Sequence, residues 1–179
     1  SPDSKDSQPL GDFELASRLS YFLWSTMPDQ RLFDLATQGR LRKPGVLQRE
    51  VTRMLANQRS DELAQHFAEQ WFDLGALDRV AVNPEFYPDF NNALKADMRS
   101  ETTEFFKFLL RNDQSCLDLI DSDWTMLNRA LARHYGLTPL PRSSQIVQTR
   151  LPANSRRGGV LGHGSFLVSQ SSGEFAHPI

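Results

Sequence analysis

The sequence predicts an all-α fold, an irregular multi-helix bundle of about seven helices followed by a glycine-rich C-terminal segment. Three observations carry this. Apolar residues recur at spacings of three and four in one run after another. Capping residues and glycines punctuate those runs at helix-like lengths. Strand character is confined to Ile146 and Val147, inside a segment otherwise rich in proline and serine.

Asp12 is placed to cap a first helix, DFELASRLSYFLW, with Leu15, Leu19, Phe22 and Leu23 inward and Arg18 beside that face. Ser25 to Asp29 interrupts it, and Pro28 marks a restart. A short helix follows over Gln30 to Thr37, closed by Gly39. Pro44 opens the next, with Val46, Leu47, Val51, Met54 and Leu55 inward, and Ser60 is placed to cap another that carries Leu63, Phe67, Trp71 and Leu74 to Gly75. Ala76 to Pro88 reads as an extended crossing segment, because Pro84 and Pro88 hold the residues before them out of helical geometry. Cys116 to Ile120 is a short apolar helix or turn. SDWTMLNRALARHYG is predicted as a helix with Trp124, Leu127, Leu131 and Tyr135 on one face and Gly136 as its stop.

The longest helix runs from Asp89, its expected cap, to Asp113. Leu94, Met98, Phe105, Phe108 and Leu109 fall within roughly 100° of arc. Glu101 lies inside the same arc, so its carboxyl group must be paired, protonated or part of a site. Arg18, beside the apolar face of the first helix, is the expected partner in a structural ion pair. The alternatives are a solvated Glu101 at the rim with Arg18 snorkelling, or Glu101 acting as a general acid or base.

Composition bounds the function. The net charge is −2, with acids and bases interspersed, which argues against a nucleic-acid groove. No apolar run reaches the length of a membrane span, and no signal peptide is evident. Residues 1–11 read as a disordered lead-in or linker, 12–137 as a helical domain, and 138–179 as a loop with the start of another domain. Cys116 is the sole cysteine, so the chain holds no internal disulfide, Cys-rich zinc site or haem-attachment motif. It reads most simply as a small core residue rather than a nucleophile.

The remaining constellations each carry a plain structural reading. No two of His66, His134, His163 and His177 share a helix-face ligand spacing, so no metal site is expected; His134 sits where a helix C-terminus favours a cation. His163 and His177, in the glycine-rich tail, are open to meeting a carboxylate in space. RRGGVLGHGSF lacks the Lys-Ser/Thr of a phosphate loop. Its glycines favour close packing, with anion binding by Arg156 and Arg157 as the alternative. No Gly-x-Ser-x-Gly elbow surrounds Ser165, a poor nucleophile candidate.

ELASRLSYFLWSTMPDQRL, FAEQWFDLGALDRV, FYPDFNNALKADMRSETTEFF and DSDWTMLNRALARHYGL occur in that order. They resemble successive motifs of domain of unknown function 1592, of the planctomycete cytochrome-associated type. RRGGVLGHGSFLVSQSS resembles the opening motif of domain of unknown function 1588. On that resemblance the motif residues are Arg18, Trp24, Trp71, Pro88, Glu101, Thr102, Phe105, Asp123, Asn128, Tyr135, Gly136, Gly158 and Gly159. No catalytic role transfers with them. Gly162 and His163 depart from the second family's usual Leu-Leu-Thr-Gln, and the chain reads HPI where that family continues, so the second domain is expected to be cut short.

The resemblance implies a periplasmic or otherwise exported bacterial protein with a c-type cytochrome module, and so haem c, elsewhere in the parent chain. The leading expectation is a non-catalytic helical structural or interaction module that packs on neighbouring domains, with no cofactor within this chain. The alternative is an oxidoreductase or hydrolase domain whose cleft uses Glu101, His163 and Asp123. A small-ligand or peptide-binding domain is the third class, and it would require an apolar groove.

Overall fold

The computed structural model describes residues 9–171. The chain forms two compact units, one ending at Leu63 and the other beginning at Ala64.

The first unit contains α1 (Asp12–Trp24), α2 (Gln30–Thr37) and α3 (Val46–Leu55), then a 3-10 turn at Gln58–Ser60. Trp24 is its centre, packed with Ala16, Leu23, Leu32, Ala36, Leu41 and Met54. The indole N–H donates to the Met54 carbonyl at 2.9 Å, so the large ring is buried without an unsatisfied donor. Gly11, not Asp12, is the N-cap of α1. Asp12 instead accepts from the Leu41 N–H and the Arg42 guanidinium, which ties the helix start to the segment after α2. Phe22, expected inside, is 66% exposed; α1 is rotated so that Ala16 and Ser20 face the core. Asp29 caps α2 by accepting from the Leu32 N–H.

In the second unit α4 (Asp61–Trp71, begun just before the boundary) and α5 (Ala76–Arg79) lead to α6 (Asn92–Arg111), the spine. α6 has 20 residues and spans about 30 Å. Asn91 caps it, where Asp89 was expected. Its buried residues are Leu94, Met98, Glu101, Thr102, Phe105 and Leu109. Leu94 and Met98 pack with Leu127, Leu131 and Ala132; Phe105 and Leu109 pack with Trp124, Met126 and Val160.

The domain is mostly helical but not strictly all-α. Residues predicted to open a helix form β1 (Trp124–Leu127), antiparallel to β2 (Val147–Arg150), with Trp124 opposite Arg150 and Leu127 opposite Val147. All four β1 residues, the polar Thr125 included, are buried, so the strand shows no inside–outside alternation to distinguish it from helix. The helix begins only at Asn128, whose side chain accepts from the Leu131 N–H, and α7 covers Arg129–His134. Gly136, at φ +67°, ends it as expected. A 3-10 turn at Val160–Gly162 then leads into α8 (Gly164–Ser169), which packs on α5 and α6. Two further residues lie outside where the sequence placed them inside: Trp71 is 71% exposed, and Cys116 is exposed on a 3-10 turn.

Candidate functional site

The stripe of α6 carries Glu101 into the interior of the second unit, where it is 1% exposed. Three neutral donors meet it. The Tyr135 hydroxyl, just past α7, donates to Oε2 at 2.6 Å. The Thr125 hydroxyl of β1 donates to Oε1 at 3.0 Å. The Gly164 N–H, at the start of α8, is shared between Oε2 at 3.3 Å and the Tyr135 oxygen at 2.8 Å. The expected guanidinium partner is therefore replaced by two hydroxyls and a backbone N–H. Arg18 is instead exposed and bonded to Glu14, one turn earlier on its own helix, at 2.7 Å.

The network continues through His163. Its Nε2 lies 3.3 Å from Thr125 Oγ1, and its Nδ1 lies 2.9 Å from Thr102 Oγ1. Thr102 Oγ1 in turn lies 2.6 Å from Ser165 Oγ. Thr102, Thr125, His163 and Ser165 are all buried. Phe105 closes one side, its ring edge-on to the imidazole at 4.9 Å. Arg157 lies over the Tyr135 ring at 3.6 Å and donates to the Gly162 carbonyl at 2.6 Å.

The glycines permit this closeness. A Cβ on Gly164 would collide with the Tyr135 oxygen and the Met98 side chain. Gly159 has φ +61°, and a Cβ there would lie 2.5 Å from the Ile120 carbonyl. Packing is thus the role these two glycines fill, and the Arg157 guanidinium is engaged with a ring and a carbonyl.

Burial sets the electrostatics. It pushes Glu101 up to about 7, against the pull of its three hydrogen bonds and of the Arg157 charge. Burial pushes His163 down to about 3, and Arg157 adds to that. Tyr135 is raised well above its usual value by burial and then by Glu101. Near neutral pH the site thus holds a neutral imidazole, a neutral phenol and a carboxyl group close to its own midpoint.

The structure brings Glu101 and His163 together through one threonine hydroxyl and leaves Asp123 elsewhere. Asp123 is exposed and paired with Arg150 at 3.0 Å, on the wall of a cavity of about 450 Å³ that also includes Asp121, Ser122 and Arg157. His134 lines a separate cavity of about 520 Å³ with Asp89, Asp97 and Arg133. An open, more apolar groove of about 810 Å³ runs along Leu137–Ser143 and Val147–Pro152. His66 is exposed on α4, and His177 lies outside the described residues. Among the described residues no three His, Cys, Asp or Glu side chains are grouped to hold a metal ion. Among them, too, no helix is long and apolar enough to cross a membrane.

The family motifs include Thr102 and Tyr135, and the sequence pattern places Tyr135 on an apolar helix face, but nothing in it points either residue to a polar site. Thr125 gave no signal, because it lies in the segment misread as helix. Ser165, a poor nucleophile candidate by sequence, is instead a hydrogen-bond partner of Thr102.

These features define a mostly helical domain with a sealed polar centre. The chain belongs to the family described as PSD4: Protein of unknown function (DUF1592), whose family model matches residues 10–137. Glu101, Thr102, Thr125 and Tyr135 lie within the match, and His163, Gly164 and Ser165 lie beyond it. No curated protein and no solved structure matches the chain.

Proposed function

We propose that this chain is a non-catalytic structural and interaction module of a larger exported bacterial protein of planctomycete type. In this reading it packs against neighbouring domains of its parent chain, one of them a c-type cytochrome module carrying haem c. Residues after 137 then begin a domain of the 1588 type, with Glu101 and Tyr135 of the first domain holding its opening glycine-rich segment. One observation carries the non-catalytic reading. The cluster of reactive side-chain types, Glu101, Thr102, His163 and Ser165, is buried and, through Thr125, spent on one run of hydrogen bonds, and none of its members lines the three cavities described above. A catalytic carboxylate or nucleophile must reach a substrate atom.

The matured parent protein tests this. It is expected to show c-type haem absorbance, unchanged by Glu101→Gln. Absence of haem absorbance in the full-length matured chain would remove the cytochrome clause.

The second reading is an oxidoreductase or hydrolase domain, favoured by the single hydroxyl that joins Glu101 to His163. It would have to work without Asp123. Turnover of an ester, glycoside or redox dye by the chain, abolished by His163→Gln at unchanged melting temperature, would establish it over the structural reading.

A further inference from the structure

Each hydroxyl between Ser165 and Glu101 has one hydrogen to give, so the chain of hydrogen bonds has a direction. With Glu101 ionised, Thr125 donates to Oε1. Its oxygen is then left to accept from His163 Nε2. The imidazole therefore carries its hydrogen on Nε2, and Nδ1 accepts from Thr102. Thr102 accepts in turn from Ser165. Every hydrogen points from Ser165 towards Glu101.

A protonated Glu101 has a hydrogen of its own to place. Oε2 already faces two donors, Tyr135 and the Gly164 N–H, so the carboxyl hydrogen goes from Oε1 to Thr125. Thr125 must then donate to Nε2, the imidazole must hold its hydrogen on Nδ1, and Thr102 must donate to Ser165. We infer that this chain of side chains is a two-state proton switch, in which uptake of one proton at Glu101 reverses every hydroxyl and converts His163 from its Nε2–H to its Nδ1–H form. Each hydrogen moves one place towards Glu101: Thr125 gives its hydrogen to Oε1, Nε2 gives its own to Thr125, Thr102 gives its own to Nδ1 and Ser165 gives its own to Thr102, while a proton from solvent replaces the one Ser165 gave up. One proton enters, none leaves, and the imidazole is neutral in both states. Because Ser165 is in the first turn of α8, the switch links the ionisation of a residue on α6 to a hydrogen bond between α6 and α8.

The surroundings support one titration at this place. Among the described residues, Arg157 acts on both Glu101 and His163, Tyr135 acts on Glu101, and the two groups meet through Thr125. α7, also packed on α6, carries Arg129, Arg133 and His134; Arg129 is exposed, and Arg133 and His134 line the separate cavity with Asp89 and Asp97. On α6 itself, Arg99 is engaged by Asp78 of α5 and by Glu69 of α4, and Lys107 by Glu104. Arg79 of α5 pairs with Asp73. β1 and α8 contribute no ionisable side chain. Burial places the Glu101 midpoint at about 7 and that of His163 at about 3, so an added proton near neutral pH resides on the carboxyl and not on the imidazole.

Long-range 1H–15N correlation spectra of the labelled full chain, recorded from about pH 5 to about pH 9, read the imidazole form of His163 directly. The expected result is Nδ1–H at the acid end and Nε2–H at the alkaline end, with one midpoint shared with the Glu101 carboxyl 13C shift. Glu101→Gln places an amide donor beside Thr125 and is expected to hold His163 as Nδ1–H at every pH. Thr125→Ser keeps the coupling. Thr125→Val cuts it, so Glu101 still titrates while the His163 form no longer follows. The switch is overturned by a single tautomer across a range in which Glu101 titrates, by no Glu101 titration in that range, or by an imidazolium at the acid end. A tautomer change that persists in Glu101→Gln overturns it as well.

Discussion

Two buried carboxylates, one in each unit, are handled in opposite ways. Glu50 and Glu101 are both 1% exposed on core-facing helix positions. Glu50 is met by two guanidiniums, from Arg31 at 2.7 Å and Arg53 at 2.7 Å, and Arg53 also reaches Asp29 at 2.8 Å. Burial pushes Glu50 up, but the hydrogen bonds from Arg31 and Arg53 outweigh it, and the net direction is down. Glu101 has only hydroxyls and a backbone N–H, and burial wins. Loss of contact with water alone therefore does not decide a carboxylate's charge: Glu50 lies in a shallower setting beside largely exposed Arg31 and has cationic partners, and Glu101 lies deeper with neutral ones.

The largest effect expected is from Glu101→Ala, which removes a buried side chain, strands the Tyr135 hydroxyl as a donor and leaves Thr125 and the Gly164 N–H with one partner each. A loss of about 2–4 kcal/mol follows, read by urea unfolding. Gly164→Ala forces a methyl group against Tyr135 and Met98 and should cost about 1–3 kcal/mol, with only the part due to Met98 relieved in a Met98→Ala background. The glutamine variants then differ in sign. At about pH 8, Glu50→Gln should destabilise by about 1–2 kcal/mol, moderated because Arg31 is largely exposed. Glu101→Gln, free of the cost of a buried charge, should be neutral or stabilising at that pH. Smallest is Arg18→Ala, which loses an exposed pair on α1 and should change stability by less than about 0.5 kcal/mol.

The pH dependence separates the regions further. The Glu50 contribution is present above its unfolded pKa and lost as pH falls through its lowered folded value. Glu101, raised from 4.5 to about 7, works the other way: the folded chain holds the extra proton, so stability falls as pH rises through that window. His163, lowered from 6.5 to about 3, removes stability as pH falls through its own window. Where the windows overlap, between 4.5 and 6.5, the Glu101 and His163 slopes cancel. His163→Gln should therefore expose the Glu101 slope as a steady loss of stability on raising the pH, measured by thermal melts.

What the sequence conveyed follows the same physics. The stripe of α6 was legible with Glu101 inside it, because helical periodicity depends only on local spacing. The partner was not. Charge sign pointed to Arg18, while the true donors, Thr125, Tyr135 and the Gly164 N–H, carry no formal charge and come from separate elements. β1 was misread because Trp124, Leu127 and Leu131 keep a helical spacing across a strand-to-helix junction whose strand is buried throughout. The outward turn of Phe22 and Trp71 depends on which face each helix finds covered, and that is decided by tertiary packing.

The 13C titration of the Glu101 side-chain carboxyl in the intact folded chain tests the central claim most directly. Burial among neutral donors predicts a midpoint of about 7. A midpoint at or below the ordinary glutamate value would mean that a cation or open water reaches the carboxyl group, and the sealed polar centre described above would be wrong.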